Sequence, residues 1–229
     1  ASGFGHGLKL MDTFDTTIRN NDFSEFQGDG IRIAGASGAV IEGNHMHDFY
    51  GSTWDTNHPD MIQFWGRDIS VNNENITIRE NFLDTGNGAA YQMIFGHNEH
   101  FETNGMLFEN IVVEHNVLFG AHSHMISLSD TKDMVVRNNT AIYNSDAYFV
   151  NPDGSTGQST MRGLISVEGE GMVIENNIAH NVLSDLNNGV LSVDTQENNY
   201  TEHFVYVASG GSGDLRDLEL LPASAFYGV

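Results

Sequence analysis

Val112-Val113-Glu114-His115-Asn116 returns 23 residues later as Val135-Val136-Arg137-Asn138-Asn139, and this pair of phrases decides the fold. Working outward, the same phrase appears as Thr17-Ile18-Arg19-Asn20-Asn21, Val40-Ile41-Glu42-Gly43-Asn44, Thr77-Ile78-Arg79-Glu80-Asn81 and Val173-Ile174-Glu175-Asn176-Asn177. Each copy is a β-branched pair, two polar or small residues, and an asparagine. The asparagines are separated by 23, 37, 35, 23 and 38 residues, so the basic period is 23 and three repeats are enlarged. A period of this size signals a solenoid, in which each repeat is one structural unit stacked on the next. A second short apolar phrase accompanies the first: Gly7-Leu8-Lys9-Leu10, Gly30-Ile31-Arg32-Ile33, Met61-Ile62-Gln63-Phe64, Gln92-Met93-Ile94-Phe95, Met125-Ile126-Ser127-Leu128, Leu164-Ile165-Ser166-Val167 and Val190-Leu191-Ser192-Val193.

Two or three short strands per 23 residues, no helical periodicity and only 3 prolines predict an all-β, right-handed parallel β-helix of about seven coils. Coils stack at about 4.8 Å, which gives a rod of roughly 30 to 35 Å. Equivalent positions then form columns. Asn21, Asn44, Asn81, Asn116, Asn139 and Asn177 are expected to make a side-chain ladder at a turn that tolerates left-handed backbone. Ile18, Ile41, Ile78, Val113, Val136 and Ile174 are expected inside. The sequence divides into a β-helix over residues 1–208 and a capping tail over 209–229, where the pattern breaks. A rung at the very start of the chain, with no helical cap, suggests part of a larger multi-module chain.

The chain has 229 residues, 9 Lys+Arg against 31 Asp+Glu, a net charge of −22 and no cysteine. Nucleic acid is excluded as a partner, because displacing its counterions needs clustered cations. An anionic membrane surface is disfavoured for the same reason, and no apolar run approaches the roughly 20 residues of a membrane span. Disulfides and thiolate chemistry are excluded. The acidic excess suits a secreted, extracellular protein in a salty or calcium-rich medium.

Solenoid insertions gather on one flank, and here they are Asp48 to Pro59, Thr85 to Ile111 and Tyr148 to Arg162. On the second strand set the residues entering successive strands read His6, Asp29, Asp60, Tyr91, His124, and the fourth positions read Lys9, Arg32, Gln63, Ile94, Ser127. Strand alternation places the fourth column outside. Cations beside acid/base groups are what proton abstraction next to a uronate carboxylate requires: one group neutralises the carboxylate, a base takes the α-proton, and an acid protonates the opposite side or the departing oxygen. Arg32 and Lys9 suit the first task, His58, His124 or Asp60 the second, and Tyr50 or Tyr91 the third. Gln63, Trp54 and His97 complete the expected substrate contacts.

With those residues quoted, the repeats and the run Tyr50-Gly51, Asp55, His58-Pro59-Asp60 resemble the catalytic modules of mannuronan (alginate) epimerases and the related alginate lyases. In that family a Tyr-Gly-x-Asp-Pro-His-Glu/Asp stretch carries the catalytic residues, and Tyr50, Asp55 and His58 correspond to its Tyr, Asp and His. Three residues separate Gly51 from Asp55, and Pro59 follows the histidine. The resemblance implies an enzyme acting on an acidic, alginate-like polysaccharide by proton abstraction at carbon 5, an isomerase or a lyase. The alternatives are a glycoside hydrolase with a carboxylate pair drawn from Asp29, Asp60 and Asp55, and a non-catalytic carbohydrate-binding or adhesin module.

The chemistry requires no cofactor. Calcium suits the clustered Asp and Asn oxygens on turns. The histidine pairs His97/His100 and His122/His124 match no established metal spacing, and no ligand set follows from sequence.

Overall fold

In the computed structural model, residues 5–51, 59–86, 88–98, 105–144, 146–159 and 164–179 are described throughout, and four further strands as backbone. Seven strands stack in parallel on a first face: Leu8–Phe14, Ile31–Ser37, Asp60–Trp65, Gln92–His97, His124–Lys132, Leu164–Glu170 and Asn181–Ser184. A second face runs from Thr17–Arg19 through Val40–Glu42, Glu74–Arg79, Phe108–Glu114, Val135–Arg137 and Met172–Glu175 to Val193–Glu197. A third runs from Asp22–Ser24 through His45–His47, Phe82–Asp84 and Val117–Gly120 to Thr140–Tyr143. The chain therefore makes the expected coils of three short strands. It is an all-β parallel β-helix.

The core follows from alternation along each strand. Ile31, Ile62, Ile94, Ile126 and Ile165 form one fully buried column, and Ile41, Ile78, Val113, Val136 and Ile174 form another. Ile18, at the first coil, is 6% exposed.

The asparagine ladder lies at the corner between the second and third faces. The side-chain oxygens of Asn44, Asn81, Asn116, Asn139 and Asn177 each accept the backbone N–H of the preceding ladder asparagine at 3.0–3.1 Å. They also accept its amide N–H at 3.0 Å. The remaining amide hydrogens of Asn44, Asn81, Asn116, Asn139 and Asn177 go to the carbonyls of Ile18, Ile41, Ile78, Val113 and Val136. From Asn44 to Asn139 every buried amide in the column is thereby paired. The left-handed residue is the one before each ladder asparagine: Asn20, Gly43, Glu80, His115, Asn138 and Asn176 all have φ between 54° and 61°. Asparagine and glycine reach this region at little cost, whereas Glu80 and His115 occupy it because the ladder on either side holds them there.

Outward on the second face, Arg19, Glu42, Arg79, Glu114, Arg137 and Glu175 are in register, an alternating column of charge. Arg79 donates to Glu42 at 2.6 and 2.8 Å, and Arg137 to Glu114 at 2.8 Å. This column engages three of the nine cations in the chain.

Beyond the coils, Phe204–Tyr206 and Leu218–Leu220 pair antiparallel, which departs from the parallel pattern and spans the boundary expected at 208.

Replacing Asn81 with alanine leaves the Asn44 N–H and amide and the Ile41 carbonyl without partners in a dry corner. The expected loss is about 3 kcal/mol or more, against about 1 kcal/mol for Asn21→Ala at the exposed end of the ladder. Denaturant midpoints of the two variants measure this; equal losses would refute the dominance of the buried ladder.

Candidate functional site

The strand register revises the columns expected on the first face. Arg32 pairs with Lys9 and Gln63, Gln63 with Phe95, and Phe95 with Ser127, so Phe95 stands in the outward column in place of Ile94. Ile94 is fully buried. Gln92 pairs with Asp60, so Gln92 and not Tyr91 continues the entrance column of His6, Asp29, Asp60 and His124. Tyr91 is in the core, its ring edge-on to Phe49 at 5.4 Å and its hydroxyl donating to the Gln27 carbonyl at 3.3 Å. Two residues along each strand lies a further outward column, Met11, Ala34, Trp65 and His97. The first face thus places Lys9, Arg32 and Gln63 in one outward column with Phe95, and His97 in the neighbouring one with Trp65. Trp54, Asp55 and His58 lie outside the described residues.

Asp29 and Asp60 share strand parity with Ile31 and Ile62, which turns them inward at the corner; both are fully buried. Asp29 is heavily bonded. Its Oδ1 accepts the Asp60 backbone N–H at 3.1 Å, its Oδ2 accepts Arg32 Nε at 2.8 Å and a second guanidinium N–H, and its own backbone N–H donates to His6 Nδ1 at 3.2 Å. Arg32 is held by this fork with its guanidinium 4.9 Å above the Trp65 ring. The carboxyl oxygens of Asp60 have no hydrogen-bond partner in the described structure. Burial raises the Asp60 carboxyl well above the usual carboxylate range, and the neighbouring charge of Asp29 pushes the same way. Burial and Asp29 thus favour the protonated form of Asp60, against the opposing pull of Gln63 and Arg32.

His124 sits further along. Its Nδ1 bonds Gln92 Oε1 at 2.9 Å, which makes Nδ1 the protonated nitrogen and Nε2 the basic one, and its ring stacks on Phe95 with centroids 5.3 Å apart. His97 Nδ1 is 2.8 Å from both Ser129 Oγ and Asp130 Oδ2. Tyr50 follows the corner at Asp48 and is 44% exposed. Burial and the charges of Asp48 and Glu25 raise its phenol, so it holds its proton and suits the role of an acid.

The family model described as right handed beta helix region matches residues 6–205, and the chain belongs to that family. Such regions are common to polysaccharide-acting enzymes, hydrolases and adhesins. No curated protein and no solved structure matches the chain.

The state of Asp60 has a signed consequence. Its native pKa lies above the ordinary value of 3.8, so the folded protein binds this proton more tightly than the unfolded chain. The contribution is full below pH 4, declines as pH rises toward the raised native value, and is level beyond it. Asp60→Asn removes that decline, so the variant gains on the wild type from about pH 4 upward. Denaturant midpoints between pH 4 and 8 test this, and parallel curves for the two proteins would exclude a raised Asp60 carboxyl.

Proposed function

We propose that the protein is a secreted enzyme acting on a uronate-containing polysaccharide by proton abstraction at carbon 5, ending in epimerisation or β-elimination. The observation that carries this reading is the adjacent, outward pair Lys9 and Arg32, with Arg32 fixed by Asp29 over Trp65 and followed by Gln63 and Phe95. An oriented cation over an aromatic ring, with a second cation in register beside it, suits a sugar that carries a carboxylate. The polysaccharide runs along the coil axis, each sugar crossing about one coil.

Distance divides the roles. Three coil steps separate Arg32 from the His124 coil, about 14 Å at the usual strand spacing. A carboxylate held by Arg32 and a proton taken by His124 therefore belong to different sugars. The resemblance to the mannuronan epimerase stretch makes His58 the base and Tyr50 the acid, with Asp55 as the third catalytic residue. His124 and His97 contact neighbouring sugars. Burial of Asp29 and Asp60 argues against a hydrolase built on that pair, because neither carboxyl reaches a glycosidic oxygen or an attacking water. Calcium, if required, would bridge sugar carboxylates and the acidic surface.

Incubation with alginate, pectate and glycosaminoglycan chains, followed by absorbance of unsaturated uronate and proton NMR, tests the reading. New absorbance means elimination, and altered anomeric signals at constant length mean epimerisation. Binding to these chains without product means a carbohydrate-binding module and overturns the enzymatic reading. For an active protein, His58→Ala lowers kcat by about 10²- to 10⁴-fold, whereas His124→Ala raises KM with kcat nearly unchanged. Arg32→Lys loses activity as well, since an ammonium cannot reproduce the fork on Asp29.

A further inference from the structure

The third face carries a cluster that the proposed chemistry does not use. His45 and His47 flank Met46 on one strand, so both imidazoles point outward while Met46 is fully buried. Asp22 pairs with His45 from the coil below, and Asp84 enters from the coil above. His47 Nε2 is 3.2 Å from both Asp22 oxygens, and His45 Nδ1 is 3.7 Å from Asp22 Oδ2. These three ligand atoms all lie within 4.8 Å of one another.

A second observation concerns the other ring nitrogens. His45 Nε2 is 2.8 Å from Asp84 Oδ2, and His47 Nδ1 is 2.6 Å from Asp48 Oδ2. A carboxylate behind each ring is placed to take the N–H of the far nitrogen, so that His45 Nδ1 and His47 Nε2 are the nitrogens that face Asp22 and would turn lone pairs to a metal held there. Metal-bound histidines are oriented in the same way, with the distal N–H given to a carboxylate. The rings are also held by stacking, His45 on His47 at 4.2 Å and on Phe82 at 4.8 Å. Gly86 keeps the corner open for the two carboxylates, since a Cβ there would meet Asp48 Oδ1 at 2.4 Å and Asp84 Oδ1 at 3.0 Å.

We propose that Asp22, His45 and His47 form a binding site for a divalent transition metal, zinc above all, with Asp84 and Asp48 as positioning residues. Two imidazoles exclude calcium and magnesium, which take oxygen ligands. Zinc with nitrogen and oxygen ligands at about 2.0–2.2 Å needs ligand atoms roughly 3.3–3.6 Å apart, close to the separations from Asp22. Three protein ligands leave a fourth position for water or for an oxygen of a bound molecule. Because the ligands come from two successive coils and are braced from a third, the metal ties the N-terminal coils together.

Isothermal titration of the metal-free full chain with zinc, and thermal unfolding with zinc, calcium or magnesium, test the site. The expected results are saturable binding of one zinc and a rise in Tm with zinc that calcium and magnesium do not reproduce. Asp22→Asn, at an exposed position that tolerates change, weakens binding by at least about tenfold, and His47→Ala abolishes it. Asp84→Asn weakens it about 10- to 100-fold. His115→Ala, on the second face, leaves it intact. Absence of one-to-one binding, or binding unchanged in Asp22→Asn and His47→Ala, overturns the proposal.

Discussion

The fold depends on how a buried amide at one corner is satisfied. A sharp turn between the second and third faces takes backbone N–H and C=O groups out of the sheets, and in a dry interior each would cost a few kcal/mol if left alone. The asparagine ladder meets that demand with one side chain per coil, each accepting from the coil below and donating to a carbonyl there. The pairing has a single register, so it aligns all three strands of each coil. Insertions of any length can leave the coil at other corners and return without disturbing the stack.

That tolerance explains how much of the molecule was legible in sequence. The ladder and the inward isoleucines are written as a local phrase whose meaning depends only on repetition, and the structure places them as expected. The first-face columns were harder. Gln92-Met93-Ile94-Phe95 lines up with Met61-Ile62-Gln63-Phe64 by its first apolar residues only after a shift of one, and in a strand a shift of one exchanges inside for outside. The recurring pair Met61-Ile62, Met93-Ile94, Met125-Ile126 was the better anchor. It puts Gln92 and Phe95 in the columns and leaves Tyr91 to the core. The Asp22, His45 and His47 group needed two coils to assemble, and its local trace was only the His-x-His alternation on a strand.

The faces also divide the charges. Asp29 serves Arg32 at the first face, and the alternating column on the second face engages Arg19, Arg79 and Arg137 in ion pairs or charge alternation. Solvent-exposed pairs of this kind add little individually, yet they keep cations from a surface ligand. Arg32 is thereby singled out as an oriented cation over an aromatic ring, with Lys9 in register beside it.

A net charge of −22 repels a polyanion at long range, which bears on how such a substrate could be held at all. At physiological ionic strength the field of exposed charges decays over about 8 Å, so the whole-molecule repulsion slows approach more than it opposes a bound state. Recognition then rests on contacts shorter than that length. Arg32 is suited to such contacts because its carboxylate partner is buried on the inner side, leaving the guanidinium oriented and partly desolvated against Trp65. A protein of this charge favours short-range, preorganised cations over a broad basic patch, and salt that screens the surrounding acids assists rather than weakens its hold on an anionic chain.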